Sequence, residues 1–347
     1  MKILVTGGAG FIGSQVVKQL LAEGHHVRVL HLPKENLINL QGWEVELMAG
    51  DITDAGSVKQ AVKDCQTVFH LAAIYALWLP NPALMRRVNV EGTRLIFEAC
   101  LAQKVERVIY TSSIAVFGGQ GLNREATENS PFALGVTNDL YSISKFESHQ
   151  MALDYVAKGL DITIVAPCGP IGPGDVSPTP TGRILLSAAN LPVIPVLNSA
   201  VNFGDVRDMA AGHLLAAKRG KTGESYLLGN ENYQLSEVAA LACDILGVRK
   251  PIVSAPYALA KLAGMGLKIY ADKISHQAPM VTAQAVDIAK LGLRANCQKA
   301  FDELQLPRRP LRESLEDALL WFAQNDYIWW PGMAKRIMLV VNPMSLS

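Results

Sequence analysis

The run KILVTGGAGFIG, residues 2–13, constrains this chain more than any other stretch. A short apolar run ends in glycines, as a buried parallel strand would. Behind it Ile12, Val16, Val17, Leu20 and Leu21 fall on one stripe of a helix that Gly24 is placed to stop. Gly7, Gly10 and Gly13 therefore stand at a strand-to-helix turn. Glycines there permit a tight turn, a close backbone approach to a pyrophosphate, and packing of helix on strand. The helix start, with Phe11 and Ile12, offers free N–H groups and a positive dipole end to the phosphates. A glycine-rich match alone is weak. With a strand before it and an amphipathic helix after it, the turn predicts a bound dinucleotide.

The chain goes on alternating. HVRVLHL (26–32), VELMAGDI (45–52), TVFHLAA (67–73), RVIYTSS (107–113) and DITIVAP (161–167) read as strands, with helices around 83–103 and 139–158. This order predicts an α/β fold: a Rossmann doubly wound parallel sheet with helices on both faces. APCGPIGPGDVSPTPTG (166–182) is dense in Pro and Gly and reads as loop, and ESYLLG (224–229) as one more strand. From about 230 the chain is mostly helical, through LSEVAALACDIL, PYALAKLAGMGLKIYA and LRESLEDALLWFAQ. At 347 residues it exceeds one average core. We expect a nucleotide-binding domain over 1–167 with return segments near 201–229, a smaller mainly helical substrate domain over 168–200 and 230–325, and a tail over 326–347.

Composition removes several classes. Half the residues are apolar and 18% are charged, which fits a folded, core-rich protein. A net charge of +1 and the lack of a basic stripe argue against a nucleic-acid partner. The five cysteines form no CxxC pair, which argues against a disulfide framework or a structural zinc and fits a reducing compartment. MKILVTGGAG enters a strand pattern at once, so no signal peptide is expected, and the expected location is cytoplasmic. No apolar run reaches the roughly 18–20 residues of a transmembrane span.

The end of the second strand bears on which dinucleotide is bound. NAD sites usually place an acid there for the ribose 2′-hydroxyl. This chain has His31, with Lys34 and Arg28 nearby, which favours NADP while leaving NAD open. Asp51 and Ile52, in GDI, are candidates for the adenine edge, a turn-forming Asp51 being the plain alternative.

In YSISK, Tyr141 and Lys145 stand four apart, one turn apart on one helix face. A free phenol is a poor base at neutral pH. A nearby ammonium would lower its pKa, so Tyr141 could exchange a proton with a carbonyl or alcohol oxygen. Ser113, closing RVIYTSS at a strand's carboxyl end, could hold the same oxygen. Tyr-x-x-x-Lys alone arises often by chance; the glycine turn and the TSS strand end beside it make a functional reading the stronger one.

Together these motifs resemble the extended or atypical short-chain dehydrogenases/reductases, the NAD-dependent epimerase/dehydratase superfamily. The resemblance covers about residues 1–325 through TGGAGFIG, GDITD, FHLAA, VNVEGT, YTSSIAVFG, YSISK, PCGPIGP and DVRDMA. Dihydroflavonol 4-reductase-like proteins, including hopanoid-associated sugar epimerases, are the nearest in pattern, through IYALWLPNPALMRRVNVEGT (74–93) and DVSPTPTGRI (175–184). The resemblance implies that Ser113, Tyr141 and Lys145 are catalytic. It implies that Leu71, Ala72, Ala73 and Thr111 line the cofactor, that Asn89 sits near the active site, and that Pro167, Gly169 and Ile171 border the nicotinamide. It assigns Ser113 over Ser112, which takes a cofactor-side or structural role. Many relatives in this family pair through two helices, one of them the helix carrying Tyr141 and Lys145, which leaves a homodimer open here.

One triad serves reduction, epimerisation and dehydration, so departures from the pattern matter. Thr111 is followed by Ser112 and Ser113, without the Asp-Glu pair of 4,6-dehydratases. Gly169 stands where nucleotide-sugar enzymes usually carry Asn. Arg183 or Arg207 could bind a substrate phosphate, or serve as ion-pair partners. Tyr75, Leu77, Trp78 and Leu79 make the expected pocket apolar, with a core Trp78 as the alternative. Cys168 is expected to line the pocket without acting as a nucleophile. The leading expectation is NADPH-dependent reduction of a carbonyl, or oxidation of an alcohol; a sugar epimerase on a lipid-linked substrate is second. The histidines at 25, 26, 213 and 276 lack metal-ligand spacing, and no metal is expected. In the tail, Trp329, Trp330, Lys335, Arg336 and IMLVV suggest either a peripheral membrane contact or, preferably, packing on its own domain or on a dimer partner.

Overall fold

The computed structural model describes residues 1–341. Its centre is a parallel sheet in the order β10-β6-β5-β4-β1-β2-β3. The strands are β1 (Lys2–Thr6), β2 (His26–His31), β3 (Glu46–Ala49), β4 (Thr67–His70), β5 (Arg107–Thr111), β6 (Ile162–Pro167) and β10 (Ser225–Leu228). All seven fall on the apolar runs read from the sequence. Leu4, Val5, Val29, Val68, Ile109, Ile164 and Leu227 are wholly buried, as helices on both faces require.

One face is covered by α1 (Phe11–Ala22) and by α7 (Val206–Arg219), reached later in the chain. The other carries α2 (Ala55–Val62), the short α3 (Ala83–Arg86), α4 (Thr93–Ala102) and α5 (Leu140–Ala157). Between α3 and α4 the helix opens into a π turn over Arg87–Gly92.

A second core lies beyond the carboxyl edge of the sheet. It joins α6 (Pro180–Asn190), α8 (Leu235–Leu246) and α11 (Leu311–Gln324) around Leu185, Val238, Leu315, Leu319 and Phe322. Short strands stitch it: β7 (Gly169–Ile171), β8 (Ile194–Val196), β9 (Ala200–Asp205), β11 (Glu231–Gln234) and β12 (Ile252–Ser254). They form a β11-β9-β7 sheet and a β12-β8 pair, so part of the expected 166–182 loop is strand. Two more helices, α9 (Tyr257–Tyr270) and α10 (Ala283–Leu291), pack on each other. The last, α12 (Pro331–Val341), sets Ile337 into the second core, while Trp329 and Trp330 stay exposed. Residues 342–347 of the expected tail lie outside the described residues. No helix among the described residues is long and apolar enough to cross a membrane.

Candidate active site

The strand order reverses direction between β1 and β4, and ligands bind at that switch, outside the carboxyl ends of the strands. There the β1–α1 turn is a backbone cradle. Gly7 has φ +71°, and a Cβ on it would stand 2.7 Å from Ala72 N. A Cβ on Gly13 would stand 2.0 Å from Gly7 O. No side chain fits either place. Gly10 caps α1 without a side-chain bond, and no acid occupies the first turn, where Phe11, Ile12 and Gly13 begin the helix. A bare helix start with room only for backbone fits a dinucleotide pyrophosphate.

The wall opposite is the 71–74 loop after β4, held by a relay of buried hydrogen bonds. Leu71 N donates to Thr6 O at 3.1 Å, and Ala72 N to Thr6 Oγ1 at 3.3 Å. Thr6 Oγ1 lies 2.7 Å from His70 Nδ1, and His70 Nε2 lies 2.9 Å from Thr93 Oγ1. Thr93 Oγ1 gives its own proton to Asn89 O at 2.7 Å. His70 Nε2 therefore carries the ring proton, and Nδ1 accepts from Thr6. Burial, with Lys145 nearby, lowers the His70 pKa to about 3, so the imidazole stays neutral. In the π turn, Asn89 Oδ1 accepts from Ile74 N at 2.7 Å, while Asn89 Nδ2 donates to Ile74 O at 3.0 Å and to Ser144 Oγ at 3.0 Å. Ala73, in this loop, is exposed. One chain of bonds thus ties β1, β4 and their loop to the helix that bears Tyr141.

That helix, α5, is started by Asp139. Its buried carboxylate accepts from Ser142 N at 2.8 Å, Ser142 Oγ at 2.6 Å and Tyr141 N at 3.4 Å. Asn138 before it turns in the left-handed region at φ 52°. Asp139, His70, Thr6 and Thr93 were not singled out from sequence. An Asp two residues ahead of Tyr141 is an N-cap signal that could have been read.

Tyr141 is half-buried. Its phenol stands beside the Ser113 hydroxyl, which accepts from Ala115 N at 3.1 Å, and its ring meets Tyr75 edge-on with centroids 4.7 Å apart. Desolvation raises its pKa above the ordinary phenol value, outweighing the opposite effect of the neighbouring Ser113 hydroxyl. This corrects the expectation that the lysine lowers it. Lys145 is buried, donates from Nζ to Thr111 O at 2.6 Å, and lies 4.9 Å from the Tyr110 ring centroid. Burial brings its own pKa down to about 7, which weakens it as a source of fixed positive charge. The two adjacent serines diverge. Ser112 Oγ pairs with His149 Nδ1 at 3.0 Å in the interior, whereas Ser113 heads the turn beside Tyr141. Thr111 Oγ1 is taken by His213 Nε2 at 3.0 Å; His213 Nδ1 faces Met209 O at 2.7 Å, so Nε2 accepts.

Pro167 closes β6, and Gly169 and Ile171 bound β7 at the same edge. A Cβ at Gly169 would meet Phe203 Cδ1 at 2.9 Å and Asn202 O at 3.1 Å, so an Asn cannot stand there without displacing β9. Cys168, between them, is not brought to the cleft. It is buried in the core against Cys297 and Gly229, and that burial raises its thiol pKa. Arg207 is likewise withdrawn, bonded to Asp205 through Nε at 2.8 Å and Nη2 at 2.7 Å, and to Asp317 through Nη1 at 2.6 Å. Arg183 is exposed; its Nε donates to Pro178 O at 3.2 Å, and its charge bears on Tyr75 and Asp175. Trp78 Nε1 donates to Asp272 Oδ1 at 2.7 Å, which makes it a tie to the segment after α9.

At the end of β2, His31 Nδ1 binds Leu32 O at 2.9 Å, and Lys34 is exposed. Glu35 Oε2 accepts from Leu32 N at 3.0 Å, which adds a carboxylate to this loop. Arg28 is not near the loop in effect. It is buried, bonded to Glu46, and caps α2 through Gln60 O, Ala61 O and Lys63 O. Asp51 Oδ1 accepts from Thr53 N at 2.8 Å, so it does form a turn, and Ile52 is buried where Gly92 passes. No cluster of three or more potential metal ligands occurs among the described residues.

Comparison with known proteins agrees with this geometry. Residues 3–229 match the NAD dependent epimerase/dehydratase family. A Synechocystis protein named provisionally as a dihydroflavonol 4-reductase is 37% identical over 329 residues, covering 93% of this chain and 95% of its own. Sterol demethylase protein B of Methylococcus capsulatus is 29% identical over 338 residues, covering 94% of this chain and 100% of its own. The crystal structure of gox2253 superposes with a TM-score of 0.82 at 35% identity, over 94% of this chain and 99% of that one. The chain belongs to the NAD-dependent epimerase/dehydratase family, enzymes of the extended short-chain dehydrogenase/reductase type.

Proposed function

We propose that this enzyme reduces an aldehyde or ketone using NADPH, and runs the reverse oxidation of the matching alcohol. A reduced nicotinamide supplies the hydride when bound. The carrying observation is Tyr141: a phenol kept protonated by burial, packed edge-on against Tyr75 with the Ser113 hydroxyl beside it at the sheet edge. A protonated phenol is a general acid, and so suits delivery of a proton to a carbonyl oxygen that gains electron density. Ser113 Oγ holds that oxygen. Lys145, with a pKa near 7, takes up and releases a proton near neutrality and can restore the one Tyr141 gives away.

The preference for NADPH rests on His31 in place of a carboxylate and on the exposed Lys34. Tyr75 against Tyr141, and a Gly169 that leaves no room for an amide, favour a small or hydrophobic substrate. The second core, with α6 carrying Arg183, is the substrate-binding part. The exposed Arg183 guanidinium is the one observation favouring the second reading, epimerisation of a sugar with an anionic group.

The test is NADPH consumption over a panel of aldehydes, ketones and sterol-type ketones. We expect turnover that Tyr141→Phe reduces by about 10²–10⁴-fold. Tight nucleotide binding with no consumption on any carbonyl would overturn reduction and favour an epimerase that takes its hydride back each cycle.

A further inference from the structure

The helix α9 packs by one narrow face. Ala260 is buried, and Gly264 lies so close to α10's start that a Cβ there would stand 2.8 Å from Ala283 N. The outer face carries Leu259, Leu262, Met265 and Ile269, spaced by three and four residues and between 52% and 67% exposed. Tyr270, 52% exposed, stands beside them, and Ile274 follows at 66%. A row of large apolar side chains facing outward along a whole helix calls for a covering partner.

The charge around the row indicates which partner. Residues 249–290 hold six Lys or Arg against two Asp, in a chain whose net charge is only +1. Both acids are taken: Asp287 pairs with Lys261 at 2.7 Å and Asp272 with Lys268 at 2.5 Å. Lys273 and Lys290 have no carboxylate partner among the described residues. A second copy related by a two-fold axis would set this basic patch against itself. An anionic lipid surface complements it, and an apolar row flanked by lysines is the form of an interfacial helix. The neighbouring strand adds to the pattern. Where β12 begins, Lys250 Nζ donates to Ala188 O at 2.7 Å, and Trp330 Nε1 donates to Asn190 O at 3.2 Å of the same α6 turn. Trp329 and Trp330, 71% and 62% exposed, thus stand at one end of β12 and α9 begins at the other.

We propose that the outer face of α9 lies on the surface of an anionic bilayer. The active-site mouth opens beside it, since Trp78 of the 74–82 loop is bonded to Asp272 at the helix's end, and Tyr75 of that loop lies on Tyr141. The substrate class that follows, resting on the oxidoreductase reading above, is an apolar carbonyl or alcohol partitioned into the membrane.

Vesicle sedimentation of the full chain tests the docking without any substrate, so its outcome is separate from that of the oxidoreductase reading. Vesicles of phosphatidylcholine alone are compared with vesicles holding one-third phosphatidylglycerol. We expect sedimentation with the anionic vesicles, lost by at least about tenfold in Leu262→Glu/Ile269→Glu. Lys273→Glu/Lys290→Glu should weaken it by roughly fivefold or more, and 0.5 M salt should weaken the wild type similarly. All four residues' side chains face solvent or the flank, so an unchanged thermal midpoint accompanies each variant. Equal sedimentation of Leu262→Glu/Ile269→Glu, or none by the wild type, overturns the proposal. So does a wild-type dimer in sedimentation velocity that this variant splits, because the face then covers a second copy.

Discussion

Two helices of this protein use glycine differently. In the β1–α1 turn, Gly7 and Gly13 stand where any Cβ would strike backbone, Gly7 against Ala72 and Gly13 against Gly7 itself. On α9, Gly264 meets α10 backbone in the same way, yet Gly266, two residues on, has nothing within 4 Å. The nucleotide side is thus built from backbone, with no freedom left to the side chains. Helix α9 is built the other way, from side chains on a helix with one packed face and one bare one. Backbone construction fixes a shape against sequence change, whereas a side-chain face can vary without disturbing the fold.

The contrast is broken most severely at Gly13. An Ala there would have to push Gly7 O by more than an ångström, and backbone cannot give as a side-chain tip can. Gly13→Ala should lose at least about 2 kcal/mol of stability and all measurable nucleotide binding. Thermal unfolding with and without NADPH checks both. A variant that keeps its midpoint and still gains from NADPH would show that the cradle is not closed by this glycine.

Lys145→Met comes next, with two effects of opposite sign. Turnover should fall to background. Stability should rise, because the folded pKa of about 7 lies below the ordinary value of 10.5. Below pH 7 both states hold the proton, and the full cost of burying the ammonium is present. Between pH 7 and 10.5 the unfolded chain holds a proton the native one lacks, so wild-type stability rises with pH. The gain in Lys145→Met should therefore be largest below pH 7, on the order of 1–4 kcal/mol, and shrink toward pH 10.5. Urea unfolding at pH 6 and pH 9 measures it. An equal loss at both would mean that the bond to Thr111 O outweighs the burial cost.

The backbone half was the more legible in sequence. The inner strands of the main sheet are apolar runs because both their faces are covered, while the edge strand β3 is half-exposed; glycine punctuation marks the turns. The short strands β7, β8, β11 and β12 were not legible, being three or four residues long at sheet edges. Nor was β9, whose wholly buried Asn202 breaks an apolar pattern in order to bind Ala295 O at 3.1 Å. Tyr141 and Lys145 could be paired because one helix carries both. The relay through His70 could not, since Thr6 and His70 are 64 residues apart and His70 and Thr93 another 23. Cys168 and Arg207 misled for a related reason. Nearness to a motif does not say which way a side chain turns: Cys168 turns to Cys297 and Gly229, far along the chain, and Arg207 to Asp205 two residues before it and to Asp317.

Beside the second core, Asp175 tests whether α6 is held with strain. It is buried, accepts from Thr179 N with both oxygens at 3.1 and 2.9 Å, and burial raises its pKa to about 6 from 3.8. Between those values the native state holds a proton the unfolded state lacks. Stability falls as pH rises through that window, and the cost stays in place above pH 6. Asp175→Asn keeps one acceptor and removes the charge. It should gain about 1–2 kcal/mol at pH 7.5 and little or nothing at pH 4. Thermal midpoints at the two pH values check it, and a loss at pH 7.5 would mean the carboxylate is needed by Thr179 more than it is penalised.

The smallest effect isolates the bare face itself. Gly266 sits within α9 at a place with open space around its missing Cβ. Ala there loses less backbone freedom on folding than Gly does and touches nothing new. Gly266→Ala should therefore stabilise by about 0.5–1 kcal/mol. Gly264→Ala, two residues away and facing α10, should instead destabilise by about 1–3 kcal/mol, since its Cβ would stand 2.8 Å from Ala283 N. The pair is measured by chemical unfolding of both variants in one buffer. Opposite signs place the packed and open faces of α9 where the contacts put them. Destabilisation by Gly266→Ala would mean that something already covers the outer face in solution, and the bareness on which the comparison rests would be gone.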